Sequence, residues 1–270
     1  MLNTSPNYNQ YKFAGDCGRD FRRLVYNVYS NYETDGGLNR FLALHDWIRD
    51  ANLRLLGYIT FNYDCLLEHS LKDQGWKYIS ANFDTSSVTA LLYGDVPIIK
   101  LHGSLNWKEC LKDRGYTVVQ KGQPFSKELQ VTPEYSSDSD WTQPAIIPPT
   151  LFKQEINDDQ RANNVLTQTI LSQWKAAITI LQVADSILSV GYSFPPSDFH
   201  SKRVFQLASM FRRRNNKKVA MVLSCVGPNP EEKRKQKEKL KTIFGRDADI
   251  KITSSFDQLV QGNELKFLTP

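Results

Sequence analysis

The stretch ADSILSVGYSF, residues 184–194, decides the fold, because it joins an apolar run of strand length to a turn that begins with glycine. The runs 186–190 and 219–225 are apolar on both faces instead of alternating between apolar and polar residues. This pattern is typical of central strands that are covered by helices on both sides. Both runs therefore predict buried parallel strands.

Similar short runs rich in β-branched residues alternate with helical stretches along the chain. The predicted strands are 58–61, 98–101, 145–147, 186–190, 219–225 and 249–253, and the predicted helices are 20–32, 38–53, 157–184, 199–213 and 231–244. Strands separated by helices of a dozen residues or more are typical of βαβ units. The sequence thus predicts an α/β protein with a mostly parallel sheet and helices on both faces.

Residues 106–144 interrupt this alternation. They contain a hairpin pattern at 116–123 and a polar stretch at 136–140. Long connections of this kind are commonly functional loops. We therefore expect an insertion, either a small subdomain or a lid over the site.

Composition places the chain among globular proteins. It has 270 residues, of which 40% are hydrophobic and 23% charged, enough for one large domain or two small ones. Its apolar runs are shorter than the roughly 18–20 residues that span a bilayer. The first twelve residues lack the basic and apolar regions of a secretory signal. We interpret the chain as a cytoplasmic protein without a membrane segment.

The cysteines argue against a zinc module. The four of them are Cys17, Cys65, Cys110 and Cys225, and no two form a C-x-x-C pair. A closed tetrahedral zinc site needs closely spaced thiolates, so the sequence predicts no zinc.

The net charge of +5 is concentrated in two late clusters, at 212–218 and 233–241. Solvated helix surfaces are one interpretation, and a phosphate-binding patch is the other. Acidic residues are interleaved in the second cluster, and no aromatic platform accompanies either. These two features favour solvated surfaces.

Polar residues and glycines follow three of the predicted strands, where parallel sheets bind their ligands. Asn62 and Asp64 follow the strand 58–61, and helix capping is the alternative role for both. His102 and Gly103 follow the strand 98–101. Glycine allows a ligand to approach closely, and histidine can act as a general base near neutral pH. A structural role for His102 is the equal alternative.

The third strand end, after 186–190, carries Gly191, Ser193 and Asp198. Gly191 permits close approach, and the Ser193 hydroxyl can donate to a phosphate or a ribose. A turn followed by the N-cap of the next helix would satisfy all three residues without a ligand.

Taken in order, these pieces resemble the bacterial sirtuin-like (silent-information-regulator type) NAD-hydrolase domains of antiviral defence proteins. The resemblance covers about 55–260 and is carried by TFNYD at 60–64, KLHGS at 100–104, AD at 184–185, GYSF at 191–194 and Asp198. It implies a Rossmann-like, mostly parallel sheet that binds NAD and carries a small inserted subdomain. The whole chain, 1–270, is then a single sirtuin-like domain.

The resemblance also implies roles for individual residues. It makes His102 the catalytic histidine, and it makes Asn62 and Asp64 contacts of the nicotinamide ribose and the nicotinamide. Gly191 and Ser193 match the residues that cradle the phosphates and the adenosine side. The remaining cofactor contacts that it implies are Thr60, Gly103, Ser104 and Asp198.

These side chains suit cleavage of the nicotinamide–ribose bond, which passes through an oxocarbenium-like state as other glycosidic cleavages do. His102 can take up a proton as charge develops. Asn62 can position the attacking water or hold the ribose. We therefore predict an NAD⁺ glycohydrolase, an effector that depletes NAD in anti-phage defence.

Two departures from the family pattern matter. The family's Gly-Ala-Gly-x-Ser loop receives the pyrophosphate on backbone amides at a helix N-terminus, and no such loop is found; 13–18 comes nearest, but Asp16 there would repel phosphate. Either the true chain begins upstream of Met1 or half of the dinucleotide site is lost. Ser224 stands near the place of the family's late Asn, and Asn229 lies further on.

Two other function classes stay open. A non-catalytic sensor of NAD or ADP-ribose, or an interaction module on the same fold, is favoured by the missing loop. The retention of Asn62, Asp64 and His102 favours the enzyme, because a scaffold does not need all three. A nucleic-acid-binding protein that uses the basic clusters ranks third. The resemblance implies a homo-oligomer gated by a partner ATPase or a nucleic-acid-sensing subunit.

Overall fold

The computed structural model describes residues 24–25, 35–80, 95–110, 130–131, 142–146, 165–195, 198–215, 221–225, 228–261 and 263–268. The chain divides into two compact units. The first, called here the antiparallel unit, comprises Met1–Thr34, Phe61–Cys65 and His102–Ile170; the second, the parallel unit, comprises Asp35–Thr60, Leu66–Leu101 and Leu171–Pro270.

The described helices and strands alternate as the sequence predicts. In chain order they are α1 (Asp35–Asp50), β1 (Tyr58–Thr60), α2 (Leu66–Asp73), β2 (Tyr78–Ile79), β3 (Val96–Lys100), β4 (Gly103–Cys110), β5 (Gln130–Val131), β6 (Thr142–Ile146), α3 (Val165–Val183), β7 (Ser186–Val190), α4 (Phe199–Arg214), β8 (Met221–Cys225), α5 (Pro230–Phe244), β9 (Ile250–Thr253), α6 (Phe256–Gln261) and a 3₁₀ helix (Asn263–Leu268).

The parallel unit contains two three-stranded sheets, with strand orders β1-β3-β2 and β7-β8-β9, and every strand pair in them is parallel. Parallel neighbours need a crossover connection, which is usually a helix. Here α2 lies in the chain between the paired strands β1 and β3, α4 between β7 and β8, and α5 between β8 and β9. The prediction of an α/β fold with parallel strands flanked by helices is confirmed.

The two strands that the sequence predicts to be central differ in burial. Val222, Leu223 and Ser224 of β8 are fully buried, and β8 has a partner on each side. Strand β7 is half-buried, and β8 is its only partner among the described strands. The prediction of a central strand therefore holds for β8, whereas β7 is an edge strand of the sheet as described.

Helix α1 links the hydrophobic clusters of the parallel unit. Leu44 and Ile48 pack with Leu223 of β8, and Phe41 packs on the cluster that contains Leu71 and Ile98. The apolar spacing of 38–53 thus serves to cover the sheets.

His45 is buried in the same helix at 0% exposure. Its ring stacks on Trp76 with 5.4 Å between ring centroids, and its Nε2 lies 2.6 Å from the Tyr58 hydroxyl. Burial lowers the pKa of His45 to about 4 and raises the pKa of Tyr58. Tyr58 therefore keeps its proton and can donate it to a neutral imidazole.

This burial predicts a pH-dependent loss of stability. Between the folded pKa of about 4 and the ordinary value of 6.5, the unfolded chain binds the His45 proton more strongly than the folded chain does. The free energy of unfolding is therefore expected to be highest above pH 6.5 and to decrease by up to about 3 kcal/mol as the pH falls towards 4. Urea unfolding between pH 4.5 and 7.5 measures it, with His45→Gln as the control. Equal pH slopes in the two proteins would contradict the prediction.

The antiparallel unit contains a three-stranded sheet of order β5-β4-β6, in which both strand pairs are antiparallel. Ala145 and Ile146 of the predicted strand 145–147 end β6, so this part of the run belongs to the antiparallel sheet and not to the parallel alternation. The sheet begins at Gly103, before the predicted insertion 106–144. The hairpin expected at 116–123 lies outside the described residues.

Several other predictions also fall outside the described residues. They are the loop 13–18, most of the helix 20–32 and the start of the helix 157–184. Within the part of the chain that the structure describes, no helix is long and apolar enough to cross a membrane.

Candidate functional site

Strands β1 and β3 run side by side, and both end at a loop that carries predicted site residues. Thr60, the last residue of β1, pairs with Lys100, and the backbone N–H of Leu101 donates to Thr60 O at 3.1 Å. The carboxyl ends of parallel strands meet at one edge of a sheet. Thr60, predicted as a cofactor contact, thus lies at this edge.

Backbone hydrogen bonding joins the two loops within the antiparallel unit. The N–H of Leu105 donates to Tyr63 O at 3.0 Å. Tyr63 and Leu105 are buried in one cluster with Ile146 of β6. The loop with Asn62 and Asp64 is therefore held to the chain that follows His102.

His102 is a buried residue with 6% exposure. Its ring meets Phe61 edge-on, with 5.6 Å between centroids, and lies 6.4 Å from the Tyr63 ring. Gly103 adopts a φ of +88°, which favours glycine and turns the chain from β3 into β4. The aromatic neighbours and this turn together set the position of the imidazole.

The Ser104 hydroxyl is committed to internal hydrogen bonds. It donates to Asn106 Oδ1 at 2.6 Å, with Tyr63 O as a second acceptor at 3.4 Å, and both side chains are buried. Ser104 thereby ties the start of β4 to the loop after β1. Its predicted contact with the cofactor stays a prediction.

Asn62 is exposed and Asp64 is half-buried in the loop between β1 and α2. Both belong to the same compact unit as His102, Gly103 and Ser104. The residues predicted for the nicotinamide side therefore lie in one compact unit.

Helix α3 binds the end of β3, just before His102. Strand β2 pairs only with Val96 and Pro97, so the N–H of Lys100 lies beyond its reach. The buried Gln173 of α3 supplies the acceptor at 2.8 Å, and Trp174 Nε1 donates to Leu101 O at 3.1 Å. The sequence analysis identified neither Gln173 nor Trp174 as a contact of this strand end.

A buried ion pair lies beneath the same strand end. Lys100 Nζ is 2.8 Å from Glu68 Oε1 of α2, and the two side chains are 0% and 2% exposed. Charges taken out of water need a close partner. The pair therefore couples β3, which leads to His102, to the helix that follows Asn62 and Asp64.

The parallel unit holds a cavity of 580 Å³ at the carboxyl ends of β7 and β9, within the size range of small-molecule sites. Its lining residues are Val190, Gly191, Tyr192, Ser193, Glu232, Lys235, Gln236, Lys239, Ser254, Ser255 and Phe256. Gly191 and Ser193, predicted for the phosphates and the adenosine side, are thus neighbours in one cavity.

Gly191 has a φ of +69°, where a side chain would be strained. A Cβ built there would meet nothing within 4 Å. The glycine is therefore required by the backbone conformation, and the space beside it is open to a ligand.

Helix α5 holds the loop after β7 in place. The buried Gln236 donates through Nε2 to Tyr192 O at 3.3 Å and to Ser224 Oγ at 3.4 Å. Lys239 Nζ donates to Ser193 O at 2.6 Å. Ser224, which stands near the family's late Asn, is thus joined to the cavity wall through Gln236.

Asp198 acts as the N-cap of α4. It accepts from the backbone N–H of Ser201 at 3.4 Å and from the Tyr192 hydroxyl at 2.5 Å. Burial and the Asp198 carboxylate raise the pKa of Tyr192. The capping alternative describes what Asp198 does here, and its predicted contact with the cofactor stays a prediction.

Several cavity residues were not predicted from the sequence. Ser254 and Ser255 directly follow β9, so the strand-end pattern applied to 249–253 would have found them. Lys235 and Lys239 are one helical turn apart and share a face of α5. Their spacing was visible in the sequence, but the cavity that they line was not.

Two further observations come from the described residues and from known proteins. Within the described ranges, no group of three or more His, Cys, Asp or Glu side chains could hold a metal ion. The sequence model of a family described as SIR2-like domain matches residues 56–243, more than half of the chain. No curated protein and no solved structure matches.

Proposed function

The chain belongs to the SIR2-like domain family, which connects its function with NAD, and from this premise we propose that it is an NAD hydrolase. The reaction breaks the bond between the nicotinamide nitrogen and C1′ of the ribose. Water supplies the oxygen that forms the new bond to C1′. The products are nicotinamide and ADP-ribose, and one proton is released.

The observation that carries this proposal is the setting of His102. The imidazole is held between aromatic rings at the end of β3, in the same unit as Asn62 and Asp64. A histidine held in this way can accept the proton lost during the reaction. The Asn62 amide can orient the water or the ribose.

The cavity of the parallel unit supports nucleotide binding. Hydroxyl groups from Ser193, Ser254 and Ser255 and the open space beside Gly191 can receive the ribose and phosphate groups. Val190 and Phe256 supply apolar surface for a base. This combination of apolar walls and a few polar groups is common in ligand sites.

The scattered cysteines favour hydrolysis over protein deacetylation, because the zinc module of the deacetylating sirtuins needs four closely spaced thiolates.

The proposed setting is the cytoplasm, where the chain acts as an effector of anti-phage defence. We propose that it forms a homo-oligomer gated by a partner ATPase or sensor subunit. The support for these last roles is the resemblance of the motifs at 60–64 and 100–104.

A sensor of NAD or ADP-ribose without catalytic activity is the second candidate. The cavity favours it, because binding needs Gly191 and Ser193 but not His102. Nicotinamide release, followed by chromatography, and ADP-ribose binding, followed by calorimetry, separate the two. Release indicates the hydrolase, and binding without release indicates the sensor. A protein that neither releases nicotinamide nor binds ADP-ribose would contradict both candidate functions.

Asn62→Ala is expected to lower the rate of nicotinamide release by about 10²-fold, because the amide that positions the reactants is lost. Asn62 is exposed, so we expect the melting temperature to stay within a few degrees of the original. Asn39→Ala, at an exposed position of α1, is the matched control and is expected to keep full activity. Equal rates in the two variants would refute the assigned role of Asn62.

A further inference from the structure

Helix α5 places two lysine side chains in the cavity wall. The proposed hydrolysis uses neither of them. Lys235 and Lys239 both line the cavity, and Glu232 is the single carboxylate among its lining residues. Two positive charges against one negative charge leave this wall with a net charge of +1. Residues four apart on a helix are neighbours, with about 5–6 Å between their Cβ atoms. One small anion can therefore contact both ammonium groups.

The hydrogen bonds of the two lysines leave capacity for an anion. Lys239 Nζ donates one of its three N–H groups to Ser193 O at 2.6 Å. This bond keeps the ammonium at the cavity beside the Ser193 side chain. Two further donors remain on the same nitrogen.

The partner of Lys235 is replaceable. Its Nζ lies 3.1 Å from Glu231 Oε1, and both side chains are more than half exposed. Exposed ion pairs of this kind contribute little, about 0–1 kcal/mol. A phosphate, which carries more charge and three acceptor oxygens, can displace the Glu231 carboxylate.

The other groups around these lysines suit a nucleotide. The hydroxyl groups of Ser193, Ser254 and Ser255 add neutral donors, and Phe256 adds an aromatic face. Lys233 also contacts the cavity through a hydrogen bond to Ser254 Oγ. The basic stretch 233–241 is thus more than a solvated helix face where it meets the cavity.

We propose that Lys235 and Lys239 form a phosphate-binding pair, so that the cavity takes a phosphorylated adenosine through side-chain charge. This rests on the proposed function, because it assumes that the cavity binds a nucleotide. The common way to bind the pyrophosphate uses backbone amides of a glycine-rich loop at a helix N-terminus. The bound phosphate belongs either to the 5′ side of the adenosine or to its 2′ position, as in NADP.

Calorimetric titration of the full chain with three probes tests the pair. The probes are adenosine, adenosine 5′-monophosphate and adenosine 2′,5′-bisphosphate. The starting protein is expected to bind the phosphorylated probes about tenfold more tightly than adenosine, with a gain that decreases as salt is added. In the double variant Lys235→Gln with Lys239→Gln this gain is expected to disappear, so that the phosphorylated probes bind no more tightly than adenosine does.

Lys237→Gln is the matched control, since Lys237 is an exposed lysine of α5 that does not line the cavity. It removes the same charge from the same helix, and we expect it to keep the tenfold gain. A further gain for the 2′,5′-bisphosphate over the monophosphate assigns the pair to the 2′ position. Equal affinity for these two probes assigns it to the 5′ side.

Two results overturn the pair while the nucleotide site stands: adenosine binding as tightly as both phosphorylated probes, or the double variant keeping the full gain. If none of the three probes binds, the nucleotide site itself is refuted, and the phosphate-binding pair with it. Melting curves of all variants show that they fold.

Discussion

His102→Ala is expected to lower the kcat of nicotinamide release from NAD by about 10²–10⁴-fold. The imidazole is the group that can accept the proton of the reaction, and its ring is held by Phe61 and Tyr63. The strand end before it is bound independently by Gln173 and Trp174. The loop is therefore expected to keep its backbone conformation when the ring is removed.

Two variants separate chemistry from packing in this experiment. His102→Gln fills most of the ring's space and keeps a polar group without a titrating nitrogen, so it should be as inactive as His102→Ala. His200→Ala, at an exposed position of α4, removes a histidine that no part of the proposal uses and should retain full activity. Melting temperatures are recorded for all three. A folded His102→Gln with the starting rate would refute His102 as the base.

Glu68→Gln is expected to lower the free energy of unfolding by about 3–5 kcal/mol, because it leaves the buried Lys100 ammonium without a countercharge. The two side chains are removed from water almost completely, so solvent cannot replace the lost carboxylate. Urea unfolding followed by circular dichroism measures the change. Such a loss is a large part of the stability of an ordinary domain.

The matched controls are a second ion pair and a double replacement. Glu231→Gln breaks the exposed contact with Lys235 and should cost less than about 1 kcal/mol. Replacing the buried pair together, Glu68→Leu with Lys100→Met, removes both charges and should recover most of the loss. Similar losses in the free energy of unfolding for Glu68→Gln and Glu231→Gln would show that the buried pair stabilises the fold no more than the exposed pair does.

The alternation of strands and helices was readable because each element carries its own periodicity. The run 186–190 and strand β7 share the same bounds, and the predicted helix 199–213 differs from α4 by a single residue at its end. Periodicity reports burial but not the direction of pairing. The run 145–147 therefore looked like another parallel strand, although its residues Ala145 and Ile146 pair antiparallel with β4.

The candidate site could be predicted in part, because strand ends can be located from the sequence. Asn62, His102 and Gly191 were predicted in this way, each directly after an apolar run, and Ser193 follows two residues after Gly191. Their roles toward a ligand stay predictions. Gln173 could not be predicted, since its role as the acceptor for the Lys100 N–H depends on where β2 ends.

The sequence by itself determined the α/β class, the order of the elements and the residues that follow the strands, because these depend on local composition and spacing. The tertiary structure alone decided which residues share a cavity, which charges are buried and which strands pair. Only the structure showed that Lys100 lies in the core against Glu68 and that Lys235 lines a cavity. The difference arises because burial is set by residues far away in the chain that pack around each position.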